Sequence, residues 1–372
     1  MKIGIDAKWF YEGPPSGRVV IRNLIKHLFE ISNDDEFYIF LDEKEYDRKF
    51  PYQKDNIHPV YVWAGNNMLS NVFVIPFMSW SLHLDIVIYQ NFSPFISNSK
   101  RYAYIHDVLF YTHPEFYTKI ERLYLSPLKL LAKFSHRLCT VSSTEKQRMI
   151  ESGYGKHNNI DVVYHGVDEV FKPAEYHPAT KLQSVVSKYN LPERFILYVG
   201  RLNVRKNVFN LLRSIALLKD NTIPLVVVGG YDWKMDNVDS LLDEQKIRNR
   251  IIFTGPVYGD DLAYIYSLAK VFCFVSYAES FGLPVIEGMA SGVPVVVSDR
   301  TCLPEICADA ALFANPDSPA DIAKQIDLLL EDNALCVKLR KLGLTRAQQF
   351  TWEKSAETLL QSVYKAVRIG DE

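Results

Sequence analysis

The segment Glu279-Ser280-Phe281-Gly282-Leu283-Pro284-Val285-Ile286-Glu287 sets two carboxylates eight residues apart around a glycine and a proline. An apolar run at 270–275 precedes it and another at 293–297 follows, so the local order reads as strand, tight loop, helix, strand. A helix starting near Leu283 turns free N–H groups and the positive end of its dipole into that loop, which makes the loop an anion site. Glu287, about one turn inside the helix, is placed to reach hydroxyl groups next to a bound phosphate. Glu279 sits on the loop, ahead of the phosphate. A phosphate cradle between two hydroxyl-binding carboxylates suits a nucleotide sugar.

Three cations stand in a comparable place earlier in the chain. In Tyr198-Val199-Gly200-Arg201-Leu202-Asn203-Val204-Arg205-Lys206-Asn207 they follow a strand and precede a helix. Arg and Lys supply the charge and the forked donors that a pyrophosphate leaving group needs. In Ile105-His106-Asp107 a histidine stands at a strand's carboxyl end, positioned to donate to a sugar hydroxyl or to stabilise developing charge. Asp107 reads as a cap for the next segment. After the first strand, Gly13-Pro14-Pro15-Ser16-Gly17-Arg18 leads into a helix, and glycine there lets backbone approach a ligand.

No phosphate-loop motif, complete G-x-G-x-x-G, H-E-x-x-H or G-x-S-x-G pattern occurs. No Asp-x-Asp occurs either. That argues against a metal-held pyrophosphate and makes the Arg and Lys more necessary. Gly153-Tyr154-Gly155 reads as a helix stop. The stretch 119–156 carries eight Lys or Arg against three Glu, with apolar residues interleaved. It reads either as a basic amphipathic helix on an anionic membrane surface or as a solvated helix covering the sheet.

These residues need a scaffold. The chain has 372 residues, 48% hydrophobic content and a net charge of −2, so two domains fit and no global bias toward nucleic acid exists. The five cysteines match no zinc spacing and read as reduced cytosolic thiols. No leader-like stretch precedes the first strand, and a cytoplasmic location is expected. Strands are expected at 2–6, 37–41, 60–63, 86–89, 102–105, 138–141 and 160–163. A second set is expected at 195–199, 225–228, 251–253, 271–275, 293–297 and 311–313. Helices alternate with them, for example at 19–31, 71–82 and 144–151, and the strands are continuously apolar, as in parallel sheets buried on both faces. The expected fold class is α/β, with two Rossmann-like doubly wound parallel-sheet domains facing a cleft. The first spans 1–172, a linker 173–192, and the second 193–351. A last amphipathic helix starts near Trp352, and 352–372 are assigned to the first domain.

With its Glu279–Glu287 segment, the 198–207 segment and IHDVLFYTHPEF at 105–116, the chain resembles the retaining glycosyltransferase family 4, of GT-B architecture. VSSTEKQRMIESGYG at 141–155, VVYHGVD at 162–168 and CLPEICADAALFANPDSPADIA at 302–323 extend the resemblance over nearly the whole chain. The resemblance implies that Arg201 and Lys206 bind the donor pyrophosphate, with Arg205 a second basic candidate. It implies that Glu279 contacts the transferred sugar, that Gly282 and Leu283 offer amides to phosphate, and that Glu287 holds the ribose. His106 would meet the sugar from the other domain, Gly17 would lie near the donor phosphate or the acceptor, and Val257 near the base. The last helix would cross back onto the first domain. The first loop departs from the family's more usual glycine pair, since Pro14, Pro15 and Ser16 precede Gly17.

The implied activity is hexose transfer from a nucleoside diphosphate sugar, UDP or GDP, to a glycan or lipid-linked acceptor in bacterial polysaccharide or glycoconjugate assembly. No metal or other cofactor and no nucleic acid is expected. Peripheral membrane contact through 119–156, at the inner face of the membrane, is the reading tied to a lipid-linked acceptor. A sugar-nucleotide epimerase of the same architecture and a non-catalytic nucleotide-sugar-binding protein are the alternatives.

Overall fold

The computed structural model describes residues 1–230 and 238–368. The chain divides into two units, one formed by Met1–Gly166 with the C-terminal helix, the other by Val167–Thr351. The final residues of the 352–372 assignment, 369–372, lie outside the described residues.

In the first unit seven strands pair in parallel: β1 (Lys2–Asp6), β2 (Glu36–Asp42), β3 (Ile57–Val62), β4 (Ile86–Gln90), β5 (Lys100–Tyr104), β6 (Arg137–Thr140) and β7 (Ile160–Val162). Their order is β3-β2-β1-β4-β5-β6-β7. Every residue of β4 is buried, as the apolar run requires of a central parallel strand. β3 begins earlier than its apolar pattern and contains Pro59. As the sheet's edge it leaves one side without a ladder partner, so the missing N–H is tolerated. The helix Pro15–Ile31 starts on a proline, whose fixed φ and absent N–H suit a first turn. It buries Val20, Ile21, Leu24, Ile25 and Leu28 at helical spacing. The helix Trp352–Arg368 packs beside it and is joined to the sheet where the Tyr102 hydroxyl donates to Ser362 Oγ at 2.7 Å. The last helix therefore returns to the first unit.

In the second unit six strands are parallel: β8 (Ile196–Val199), β9 (Leu225–Val228), β10 (Ile251–Gly255), β11 (Val271–Phe274), β12 (Val295–Ser298) and β13 (Ala311–Ala314). Their order is β10-β9-β8-β11-β12-β13. In each sheet the order reverses beside its first strand, between β1 and β4 and between β8 and β11. Loops leaving the carboxyl ends part at such a point and open a crevice for ligand.

Three expectations change. The stretch 119–156 is not one basic helix. Helices Lys119–Leu125 and Leu128–Ala132 are separated at Ser126-Pro127, β6 follows, and then the helix Ser143–Glu151. Its cations are also partly spent inside the fold, since Arg137 pairs with Asp161 and Arg148 with Glu145. Residues 173–192, expected as a linker, pack into the second unit. The His177 ring sits 4.8 Å from the Tyr264 ring, and Lys188 and the Tyr189 hydroxyl both reach Asp261, at 2.7 and 3.0 Å. The prolines there shape turns, Pro178 preceding the helix Ala179–Tyr189. The expected helix at 71–82 is a longer one over 67–81, with a π-helical turn at Ser70–Val74.

Candidate active site

In the second unit the site residues gather where β8 and β11 end. After β8 the chain turns through Gly200 and Arg201 into a short 3-10 helix, Val204–Lys206, whose first turn is held by Asn203 accepting from the Lys206 N–H at 3.0 Å. Asn207 follows in a left-handed conformation (φ 58°) and starts the helix Val208–Ala216. Its buried side-chain amide donates to the carbonyls of Val275 and Pro316, at 2.9 and 2.7 Å. The first bond fastens the basic loop to the loop leaving β11, the second to the loop leaving β13.

The second loop carries Glu279. One oxygen of Glu279 accepts from Lys206 Nζ at 2.7 Å, and the other lies 3.1 Å from an Arg205 nitrogen. The Arg205 guanidinium also donates to the Ala278 carbonyl at 2.6 Å, and the Arg205 carbonyl accepts the Tyr277 N–H at 2.9 Å. The Glu279 N–H donates to the Thr301 hydroxyl at 3.1 Å. Lys206 Nζ also stands 4.8 Å from the centre of the Phe274 ring, a cation–π distance. Burial alone would raise the Glu279 carboxyl, but Lys206 and Arg205 outweigh it and hold the group at about 2. Burial lowers the Lys206 ammonium to about 8, with Glu279 opposing. Arg201, Arg205 and Lys206 against Glu279 leave two net positive charges, the balance that would match a bound diphosphate.

Gly282 then adopts φ 95°, a conformation that favours glycine, and a Cβ there would come 2.8 Å from Leu303. The helix Leu283–Ala290 begins on it without a side-chain cap, and Pro284 brings no N–H. The Val285 N–H returns to the Gly282 carbonyl at 2.9 Å. Gly282 and Leu283 are thus the amides at the tip. One turn on, Glu287 accepts from the Tyr266 hydroxyl at 3.0 Å. Burial pushes this carboxyl up to about 7, with the Tyr266 bond opposing and the nearby Asp168 charge adding. The two glutamates therefore differ in kind: Glu279 is held ionised, Glu287 near its titration point at neutral pH. Val257, buried, lies on the loop after β10, two strands from β8.

In the first unit His106 follows β5 and stays partly exposed. Its Nε2 pairs with the Gln90 side-chain oxygen at 2.7 Å, and its backbone N–H donates to Asn91 at 3.2 Å. Burial pulls the imidazole down to about 4, with Asp6 opposing, so it is neutral at pH 7. Asp107 accepts the Leu109 N–H at 3.2 Å, a local turn-capping bond. Beneath His106 lies a buried polar network absent from the sequence reading. Lys8 Nζ reaches Asp6 at 2.6 Å and Asn71 at 2.5 Å, and the Asn71 amide donates to Asp6 at 2.9 Å and to the Gln90 carbonyl at 3.1 Å. Trp9 joins the two ends of this region. Its ring lies 5.8 Å from the His106 ring, and a Cβ on Gly17 would come 2.9 Å from it. The indole packed on Gly17 leaves no room for a side chain there.

Arg205, Lys206 and Glu279 are therefore in direct contact, and Gly282, Leu283 and Glu287 follow on the same loop and helix. Trp9, Gln90, Asn71, Asn207, Tyr266 and Thr301 are positioning residues that sequence reasoning missed. Asn207 had a local signal, an asparagine directly before a helix, whereas the others act through long-range pairing.

The two parallel-sheet units have the architecture of GT-B glycosyltransferases. Sucrose-phosphate synthase from Thermosynechococcus elongatus superposes with a TM-score of 0.78 at 20% identity, covering 99% of each chain. Anabaena Alr3699/HepE in complex with UDP and glucose gives 0.76 at 17% identity, covering 98% of this chain and 100% of that one. Residues 181–364 match the family model for glycosyl transferases group 1, so this segment carries that family's pattern. Among curated relatives, the O-antigen chain mannosyltransferase B of Escherichia coli is 32% identical over 253 residues, which is 67% of this chain and 66% of that protein. The match spans 30% of the length of the next three relatives.

Proposed function

We propose that the chain is a glycosyltransferase that moves a hexose from a nucleoside diphosphate sugar to a hydroxyl acceptor. The observation that carries this reading is the Arg205–Glu279–Lys206 cluster beside the uncapped helix start at Gly282, at the reversal of the second sheet. The relatives' names favour the same class, and mannose is the first sugar to test.

In this reading Arg201, Lys206 and the Gly282 and Leu283 amides take the diphosphate, with Arg205 supporting. Glu279 meets the sugar, Glu287 the ribose hydroxyls, and Val257 the base. The bond between the anomeric carbon and the β-phosphate oxygen breaks as the acceptor oxygen bonds to that carbon. Negative charge then develops on the leaving phosphate, where the cations and amides stabilise it. The acceptor proton passes to the departing phosphate oxygen on the same face, which retains configuration and needs neither an enzymic nucleophile nor a metal. Neutral His106 hydrogen-bonds a sugar hydroxyl, and the Gly13–Gly17 turn lies toward the phosphate or the acceptor. A glycan or lipid-linked sugar in surface polysaccharide assembly is the proposed acceptor, and a lipid-linked one brings the protein to the inner face of the membrane.

The test is turnover of a panel of UDP- and GDP-sugars with and without candidate acceptors, reading the anomer of the product by NMR. One nucleotide sugar consumed with a retained product is expected. A sugar trapped covalently on a carboxylate contradicts the same-face step. Conversion of the donor alone to an isomer would show an epimerase instead.

A further inference from the structure

The helical stretch 67–81 of the first unit exposes a row of large apolar side chains while burying polar ones beside Ile75. Its inward side carries polar groups: Ser70 and Asn71 are fully buried and Ser79 nearly so. Asn71 joins the Asp6–Lys8 network, and Ser79 accepts from the Ser99 hydroxyl at 3.2 Å. Its outward side carries Leu69, Phe73, Phe77 and Trp80, spaced as one helical stripe. Phe73, Phe77 and Trp80 are 66%, 63% and 58% exposed. The π-helical turn at Ser70–Val74 fits this division, since it carries Asn71 inward and Phe73 outward.

Surroundings decide the partner. Asp85 is the only side chain of fixed charge between Trp63 and Ser99. Leu125, on the helix Lys119–Leu125, packs on the same buried cluster as Met68 and Val72, which brings that helix beside the stretch. It adds Ile120 and Leu123, 81% and 75% exposed, together with Lys119 and Arg122. Its one acid, Glu121, is occupied at the helix start, accepting the Thr118 N–H at 2.7 Å. An aromatic, charge-free stripe flanked by cations matches a bilayer surface with anionic headgroups: rings enter the headgroup boundary while Lys and Arg remain at phosphate level. A second copy of this chain meeting the same face would set Lys119 and Arg122 against their own like charges.

We propose that the Leu69–Trp80 stripe, flanked by Lys119 and Arg122, is a docking surface for an anionic lipid bilayer. The apolar anchor is thereby assigned to the 67–81 stretch, and the basic segment supplies the charge. The purpose of docking rests on the lipid-linked acceptor proposed above; the geometry does not. The stripe shares its helix with Asn71, which is bonded to the strand end that presents Gln90 and hence His106. Docking thus engages the element that supports His106.

The full chain is sedimented with vesicles of phosphatidylethanolamine, with and without phosphatidylglycerol. The wild type is expected to partition onto the phosphatidylglycerol vesicles, and added salt to weaken it. Phe73→Ser with Phe77→Ser should lower partitioning by about tenfold or more. Lys119→Gln with Arg122→Gln should lower it about fivefold per residue at low salt. Near-ultraviolet circular dichroism and melting temperature verify that the variants fold, which exposed positions favour. The proposal is overturned if the wild type stays in solution with both vesicles, or if the Ser variant binds as well as the wild type. It is equally overturned if light scattering shows a dimer that the Ser variant disperses, since the stripe then belongs to a second copy. No donor or acceptor enters the assay. Failed vesicle binding with intact sugar transfer strikes this proposal alone, and vesicle binding without transfer strikes only the proposed function.

Discussion

The two units share a strand order around the reversal of the sheet yet use their polar residues in opposite ways. At β8 and β11 the second unit keeps charge at the strand ends: one carboxylate between two cations, with the exposed Arg201 nearby. At β1 and β4 the first unit buries its charge in Asp6–Lys8–Asn71 and offers a neutral imidazole above it. Their surfaces differ in the same sense. Of twenty exposed large hydrophobic side chains among the described residues, fifteen belong to the first unit. One scaffold thus carries a cation-rich pair of loops and, separately, a neutral, aromatic-rich face. The comparison teaches that the loops and outward helix faces carry the functional difference.

The largest expected effect tests the anion grip. Lys206→Ala or Glu279→Ala should lower donor turnover about 10²–10³-fold, the range for losing one preorganised charge-stabilising group. Steady-state kinetics on the nucleotide sugar found by screening checks this. Loss confined to acceptor KM would break the division of labour between the units.

Next in size is the fastening of the two loops. Asn207→Ala strips the Val275 and Pro316 carbonyls of a buried donor and should cost about 1–3 kcal/mol of stability, measured by denaturant unfolding. A smaller effect belongs to His106. His106→Ala should slow transfer about tenfold, the worth of one hydrogen bond, while donor affinity in the second unit stays unchanged. Gln90→Leu should reproduce part of that loss, because the imidazole loses the partner that orients it. An equal loss of donor affinity would merge the two roles.

The pH dependences complete the series. Lys206, lowered to about 8, deprotonates above that pH, so diphosphate affinity should weaken there, and Lys206→Arg should flatten that limb. Glu279, lowered to about 2, binds fewer protons folded than unfolded. Its contribution to stability is full above its ordinary pKa of 4.5 and is lost as pH falls toward 2. Glu287, raised to about 7, has the opposite sign: the folded state binds more protons, and stability falls as pH rises from 4.5 to 7. Glu287→Gln should remove that slope in unfolding titrations.

What the sequence disclosed follows from which contacts are local. The E-x7-E loop and the basic segment were legible because each is a short contiguous run after an apolar strand, and their glycine and proline mark the turn. The alternation of apolar runs and helices disclosed both sheets. Trp9 was not legible, because its partner His106 lies five strands into the chain. Asn71 was hidden because only the pairing of β1 with β4 brings it to Asp6. Thr301, at φ 56°, sits in a backbone conformation that its residue type does not announce. The single basic helix failed because a net count of cations ignores Pro127 and the entry of 137–140 into the sheet.

The central claim is a diphosphate site built by the second unit's cations and helix start. Calorimetric titration of UDP and GDP into the wild type, Lys206→Ala and His106→Ala measures it most directly. The account predicts that one of the two nucleotides binds the wild type and His106→Ala alike and that Lys206→Ala loses most of that affinity. Equal binding by Lys206→Ala, in a variant that remains folded, would contradict it.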